Sequence, residues 1–203
     1  MAAYDGLNTA VIYDFETLAQ DQIRGVVISF AMLPFAPSRF TNPELAYTYD
    51  ELVSKAKFIK FNVEEQVKKY DRKIDKTTLE WWNNQGPEAK KQLKPGPDDK
   101  SISELYGFFV LHCPANLDTV YTRGNTFDPV FFQHIIDQTG YPRPYDWWKD
   151  RDTRSLIDGL SWGTGLKNSF MPPDCEDKFI HHDPCHDIAL DVMRLQTLVQ
   201  AIS

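Results

Sequence analysis

At 203 residues, 42% hydrophobic and with a net charge of −7, the chain is long enough for one full-sized domain with a real core. No apolar run approaches the length of a membrane span, and residues 1–6 lack the basic-then-apolar character of a secretion signal. Three cysteines (Cys113, Cys175 and Cys185) argue against a disulfide scaffold and for a reducing, cytoplasmic setting, while the acidic balance argues against a broad basic footprint on nucleic acid.

Residues 10–17 (AVIYDFET) read as a buried strand running into two carboxylates. Alternation puts Asp14 and Glu16 on one face and Phe15 on the other. Two acids so placed repel each other and resist desolvation, and a divalent cation would relieve both penalties. The other reading ends the strand at Tyr13 and leaves 14–17 as a solvated turn. Residues 24–35, rich in Val, Ile and Phe, give a second strand, and either 45–49 or 57–61 a third. Short connections suggest an antiparallel meander.

The pattern then becomes helical. Asn62 caps a helix through Tyr70, and Thr77 and Glu80 repeat the capping signature ahead of Trp81 and Trp82, with Gly86-Pro87 as the stop. A short helix over 88–93 and a solvated loop over 94–100 follow. Ser101 opens a helix with Ile102, Leu105, Phe109 and His112 at helical spacing. Residues 117–121 read as a strand. Asp128-Pro129 is a helix-start signal, with Asp128 as the cap of a helix reaching Gly140. Residues 141–150 read as an ordered loop, 152–157 as the start of a short helix, and 168–177 as a loop. The last helix starts at Asp183-Pro184 and carries Ile188, Val192, Leu195, Val199 and Ile202 as its buried stripe. With no repeats and no splitting linker, residues 1–203 read as a single domain in which 54–100 is a largely helical segment between the meander and the later strands.

His182 precedes that last helix and Asp187 lies one turn into it. Helical side chains lean towards the N-terminus, so the carboxylate and the imidazole are presented together at the mouth of the helix. Three pieces then stand apart in the chain: Asp14-Phe15-Glu16, Asn125-Thr126-Phe127-Asp128, and His182 with Asp187. In this order and spacing they resemble the three motifs of the DEDD exonuclease superfamily, in its histidine-containing branch. Trp81-Trp82-Asn83-Asn84-Gln85, Thr122-Arg123-Gly124-Asn125 and Arg151-Asp152-Thr153-Arg154 look more specifically like the exonuclease A group of T-even-type phages and related small bacterial exoribonucleases. The resemblance spans nearly the whole chain.

The resemblance implies an α/β fold, a ribonuclease H-like mixed β-sheet flanked by helices, and removal of mononucleotides from the 3′ end of single-stranded nucleic acid. DNA is the first expectation and RNA the alternative. It implies that Asp14, Glu16 and Asp187 hold one Mg²⁺ or Mn²⁺ ion and Asp14 and Asp128 a second, the two ions about 3.5–4 Å apart. His182 would be the general base, a task suited to a group with a pKa of about 6.5. Phe15, Thr17 and Leu18 would line the pocket of the terminal nucleotide, with Asn125 and Phe127 also near the substrate. Arg123, Arg151 and Arg154 are unranked candidates for a phosphate contact. The implied setting is the cytoplasm, that of the host if the chain is phage-encoded, with no membrane partner and with a homo-oligomer left open.

One departure is visible. Many relatives continue the first motif with Thr-Thr-Gly, whereas this chain has Thr17-Leu18-Ala19, so the turn beside the terminal sugar is expected to differ. Rival readings of single residues remain. Asp128 would serve equally as a plain cap and Asp187 as a charge on the helix dipole. His181 reads as a surface neighbour, and His186 has no assigned task. Cys175, His181, His182, Cys185 and His186 fit no compact zinc pattern. Trp81 and Trp82 have core spacing with Leu79, with the alternative that one of them faces substrate, and a non-catalytic binding module of the same fold would not need the acids and His182 intact.

Overall fold

A five-stranded mixed sheet lies at the centre of the structure, a computed structural model that describes residues 7–203; the signal-sequence reading of residues 1–6 lies outside them. The strands are β1 (Ala10–Thr17), β2 (Val27–Phe35), β3 (Lys57–Lys60), β4 (Thr119–Thr122) and β5 (Asp150–Asp152), in the order β3-β2-β1-β4-β5. β2 runs antiparallel to β1 and β3, whereas β4 is parallel to β1 and β5 is parallel to β4. This is the mixed sheet that the ribonuclease H-like expectation requires. Among the described residues eight α-helices surround it: α1 (Tyr49–Lys55), α2 (Val63–Tyr70), α3 (Lys76–Asn83), α4 (Pro87–Lys90), α5 (Leu105–His112), α6 (Asp128–Thr139), α7 (Thr153–Ser161) and α8 (Pro184–Ile202).

β1 continues through both acids to Thr17, so the reading that ends it at Tyr13 is set aside. Its alternation divides the core. Ala10 and Ile12 join Ala31 and Leu33 of β2 under α1 and α8, while Val11, Tyr13 and Phe15 join Phe30 and Met32 under α5 and α6. Asp14 and Glu16, in phase with Ile12, therefore belong to the α8 face of the sheet.

Several expected elements are displaced. The third strand is β3, and residues 45–49 form no strand: Thr48 accepts the N–H of Glu51 at 3.2 Å and starts α1, which makes the β2–β3 connection long and helical. α3 begins at Lys76, one residue ahead of the expected Thr77 cap. Residues 141–150 hold a short 3-10 turn, and β5 follows at Asp150. Asp128 is the first residue of α6 rather than its cap, which is Phe127. α8 is also more enclosed than one stripe allows. Ile188, Val192 and Leu195 are buried as expected, yet so are Asp191, Arg194 and Gln196, and Ile202 at the last turn is exposed. No helix among the described residues is long and apolar enough to cross a membrane.

Candidate active site

The C-terminal end of β1 meets the N-terminal ends of α6 and α8. From β1 come Asp14 and Glu16, from the start of α6 comes Asp128, and from α8 and the turn before it come Asp187 and His182. Ligand atoms of Glu16, His182 and Asp187 all lie within 4.8 Å of one another. Asp14 shares one cleft of about 490 Å³ with these three, and Arg123, Asp191 and Arg194 line it too.

Asp128 reaches the site by a specific route. β1 pairs with β4 only as far as Ile12, which leaves the backbone beyond it on that edge without a strand partner. The N–H of Phe15 is satisfied instead by Asp128 Oδ1 at 3.2 Å. The carboxylate thereby bridges β1 and the start of α6, since it is also hydrogen-bonded to its own backbone N–H.

These acids are stacked against one another with little water to separate them. Burial raises Asp14 well above the usual carboxylate range, and Asp128, Glu16 and Asp187 push it further in the same direction. Glu16 is raised by burial, then by Asp187 and Asp128. Burial lifts Asp128 to about 7, against the opposing hydrogen bond from Phe15 and the charge of Arg154. Asp187 is also lifted to about 7 by burial, with Asp191 and Asp183 adding to the rise and Arg123 and Arg194 opposing it. Such a set of mutually repelling oxygens is the electrostatic complement of a divalent cation.

His182 sits in a strained turn, with a left-handed φ of 60° that non-glycine residues seldom adopt. Three contacts hold it there. Asp183 caps α8 immediately after it, with Oδ1 accepting the N–H groups of Cys185 and His186. The His182 carbonyl accepts Gln92 Nε2 at 2.7 Å, and Gln92 Oε1 accepts the buried Ser29 hydroxyl at 2.5 Å. The imidazole packs edge-on against Trp81, with ring centroids 4.6 Å apart. Burial and the neighbouring His181 lower its pKa, keeping the ring neutral and able to accept a proton near neutral pH. His186 faces elsewhere, with Nδ1 2.9 Å from the Tyr49 hydroxyl, which ties α8 to α1.

On the other side of Glu16 lies a second pocket of about 400 Å³, lined by Phe15, Glu16, Thr17, Trp81, Phe127 and Thr78 among others. Phe15, Thr17 and Phe127 are thus brought together as expected of a pocket wall. Leu18 differs from them: its side chain packs into a small core with Val26, Ile28 and Trp82, which leaves its backbone for the expected contact. Asn125 is off the wall, exposed in the turn before α6. Where relatives carry glycine, Ala19 is fully buried, and its carbonyl accepts the Thr17 hydroxyl at 2.8 Å, closing the turn after β1. The tryptophan pair divides its tasks. Trp82 is core and donates Nε1 to the Thr17 carbonyl at 2.9 Å, whereas Trp81 is 43% exposed between the pocket and His182. Of the two tryptophans it is thus Trp81 that faces the site, whereas the sequence does not single out Gln92 or the Asp191–Arg194 pair as site residues. A polar residue three positions after Asp191 in an apolar helix was the available signal for Arg194. Cys175 is buried in the main core away from the histidines, which leaves no zinc-like grouping of these residues.

The profile of the 3′–5′ exoribonuclease Rv2179c-like domain matches residues 9–197. The chain is 33% identical to a protein of Enterobacteria phage T4 named exodeoxyribonuclease, over 91% of this chain and 86% of that one. Among solved structures it is similar to E. coli exonuclease I in a complex with single-stranded DNA, with a TM-score of 0.58 and 13% identity over 97% of this chain and 40% of that one. The same enzyme with a dA16 oligonucleotide gives 0.60 and 13% over 95% and 41%. The chain thus spans about two fifths of the length of exonuclease I, and at that identity the likeness is one of fold. With a profile matched from the first residues of β1 into the last turns of α8, the chain belongs to the Rv2179c-like 3′–5′ exoribonuclease domain family and is a 3′–5′ exonuclease.

Proposed function

We propose that the chain hydrolyses single-stranded DNA from its 3′ end and releases mononucleotides, with two Mg²⁺ or Mn²⁺ ions in the cleft and His182 as general base. The observation that carries this reading is the convergence of Glu16, His182 and Asp187 within 4.8 Å beside Asp14. The donor set fits hard divalent cations: it is carboxylate oxygen with one imidazole and no thiolate, and its acids are raised in pKa by one another. Asp14, Glu16 and Asp187 would hold one ion, and Asp14 and Asp128 the other. When bound, such ions lower the pKa of water and neutralise charge on the phosphoryl oxygens.

The residues of the chain do the rest. The pocket of Phe15, Thr17, Phe127 and Trp81 receives the terminal nucleoside, and stacking on an aromatic wall contributes about 1–3 kcal/mol per base. His182 accepts a proton from the attacking water. The water oxygen bonds to phosphorus, the bond from phosphorus to the O3′ of the preceding nucleotide breaks, and that oxygen leaves as the new 3′ end. Few phosphates need be held, which suits an acidic chain and a cytoplasmic setting.

The choice of sugar has two supports pulling apart. The phage T4 relative carries a deoxyribonuclease name and the family an exoribonuclease one. A second reading, RNA as substrate, is favoured by the exoribonuclease family whose profile matches residues 9–197. Matched DNA and RNA oligomers, labelled at either end and incubated with Mg²⁺ or with chelator, test all of this. Shortening from the 3′ end, faster on DNA and stopped by chelator, is expected. Faster digestion of RNA would transfer the substrate assignment, and digestion indifferent to chelator would remove the metals.

A further inference from the structure

We infer that Arg123 is the residue that grips the substrate phosphodiester at the carboxylate cluster, through a non-bridging phosphate oxygen; this rests on the exonuclease reading above. Arg123, Arg151 and Arg154 are alike in sequence, and the fold separates them. Arg151 is exposed, donates Nη1 to the carbonyls of Trp148 and Asp150 at 2.7 and 2.8 Å, and does not line the cleft. Arg154 is exposed on the first turn of α7; its charge acts on Asp128, yet it does not line the cleft that holds Asp14, Glu16 and Asp187. Arg123 lies in the cleft with Asp14, Glu16 and Asp187.

Its anchor is unusual. Asp191, only 2% exposed, accepts Arg123 Nη1 at 2.5 Å and Arg194 Nη1 at 3.1 Å on the same oxygen, and the Thr153 hydroxyl at 2.6 Å on the other. Arg194 alone would compensate this buried carboxylate. One carboxylate between two guanidiniums leaves positive charge to spare beside the acids. Arg194 has little of its donor capacity free, because Nε and Nη2 also bond the Phe170 and Ser169 carbonyls. Arg123 uses only Nη1, and a third of its side chain is exposed in the cleft. Its remaining N–H groups form a fork held in place by an ion pair, the arrangement that binds phosphate in two-point fashion.

The test measures binding of a fluorescent single-stranded oligonucleotide by anisotropy, with Ca²⁺ replacing Mg²⁺ to suppress hydrolysis. Probes carry either native linkages or one neutral methylphosphonate at the first or second linkage from the 3′ end. Arg123→Ala is expected to weaken native binding about ten- to hundredfold and to reduce the salt slope by about one contact. It should also remove the penalty that wild type shows for one of the two neutral linkages. Arg123→Lys should restore part of the affinity, and a melting temperature near that of wild type shows an intact fold. If Arg123→Ala keeps the wild-type penalty at both linkages, the inference is overturned and Arg123 serves only Asp191. A wild type that neither binds nor shortens any oligomer would instead defeat the exonuclease reading itself.

Discussion

Asp14 gathers the most repulsion in the cleft, since Asp128, Glu16, Asp187 and Asp191 all raise it. Removing it should therefore abolish metal-dependent hydrolysis without harming the fold. Asp14→Ala is expected to lose at least about a thousandfold in turnover, in the range of a lost electrostatic group at a reacting centre. Its melting temperature in chelator should equal or exceed that of wild type, because an unpaired buried charge has gone. Activity near wild type would take Asp14 out of the site. At this scale the sequence was most informative where chemistry needs unlike residues close together: acids ending an apolar strand, and a histidine just ahead of an acid-bearing helix. It was silent where one side chain serves another across the fold. Asp191 and Arg194 sit between Ile188, Val192 and Leu195 in a helix that reads as a plain buried stripe. Gln92 lies in a lysine-rich stretch with nothing to mark its bond to the His182 carbonyl. Asp128 was legible as a site residue, but not that its carboxylate would reach across to the Phe15 N–H of β1.

The turn into α8 matters more than its length suggests, because it sets both the general base and the direction of Asp187. A left-handed backbone at His182 costs an ordinary L-residue about 1 kcal/mol or more, and glycine almost nothing. His182→Gly should therefore be about 1 kcal/mol more stable than His182→Ala by denaturant titration. Both should lose the same large factor in turnover, and the alkaline-rising limb of the pH–rate profile should vanish in both. Equal stability of the two would show that the turn is not strained, and an unchanged rate and pH profile in either would end the general-base role. Other element errors have equally local causes. Residues 45–49 alternate like a strand, yet the Thr48 hydroxyl and two following acids make a better helix start. β5 has the sequence Asp-Arg-Asp and no apolar period, so only its pairing with β4 defines it. The capped starts of α2 and α8 were legible because Asn62 and Asp183 make the bonds their spacing implies.

Across the whole molecule, the cluster couples folding to protons and metal. Asp128 and Asp187 have folded pKa values of about 7, whereas an aspartate in the unfolded chain titrates near about 4. A carboxyl raised in this way keeps its proton in the folded state where the unfolded chain has lost it. The resulting stability is complete below about pH 4 and is lost as the pH rises through about 7. Glu16 and Asp14, raised by burial and by the same neighbours, add to the effect in the same direction. A bound divalent cation takes the place of those protons and binds only the folded arrangement, so it restores what deprotonation removes. The gain in melting temperature from saturating Mg²⁺ or Mn²⁺ over chelator should thus be small at pH 5, climb between about pH 5 and 7, and level off above that. Asp187→Asn should flatten the curve and raise the melting temperature in chelator at pH 8, since one repelling charge is gone. Taking the difference between metal and chelator at each pH cancels the titration of surface groups such as the Glu51–Arg39 pair, which contribute equally to both arms. A metal-induced shift of the same size at pH 5 and pH 8 would mean that the ions bind somewhere other than these raised carboxyls.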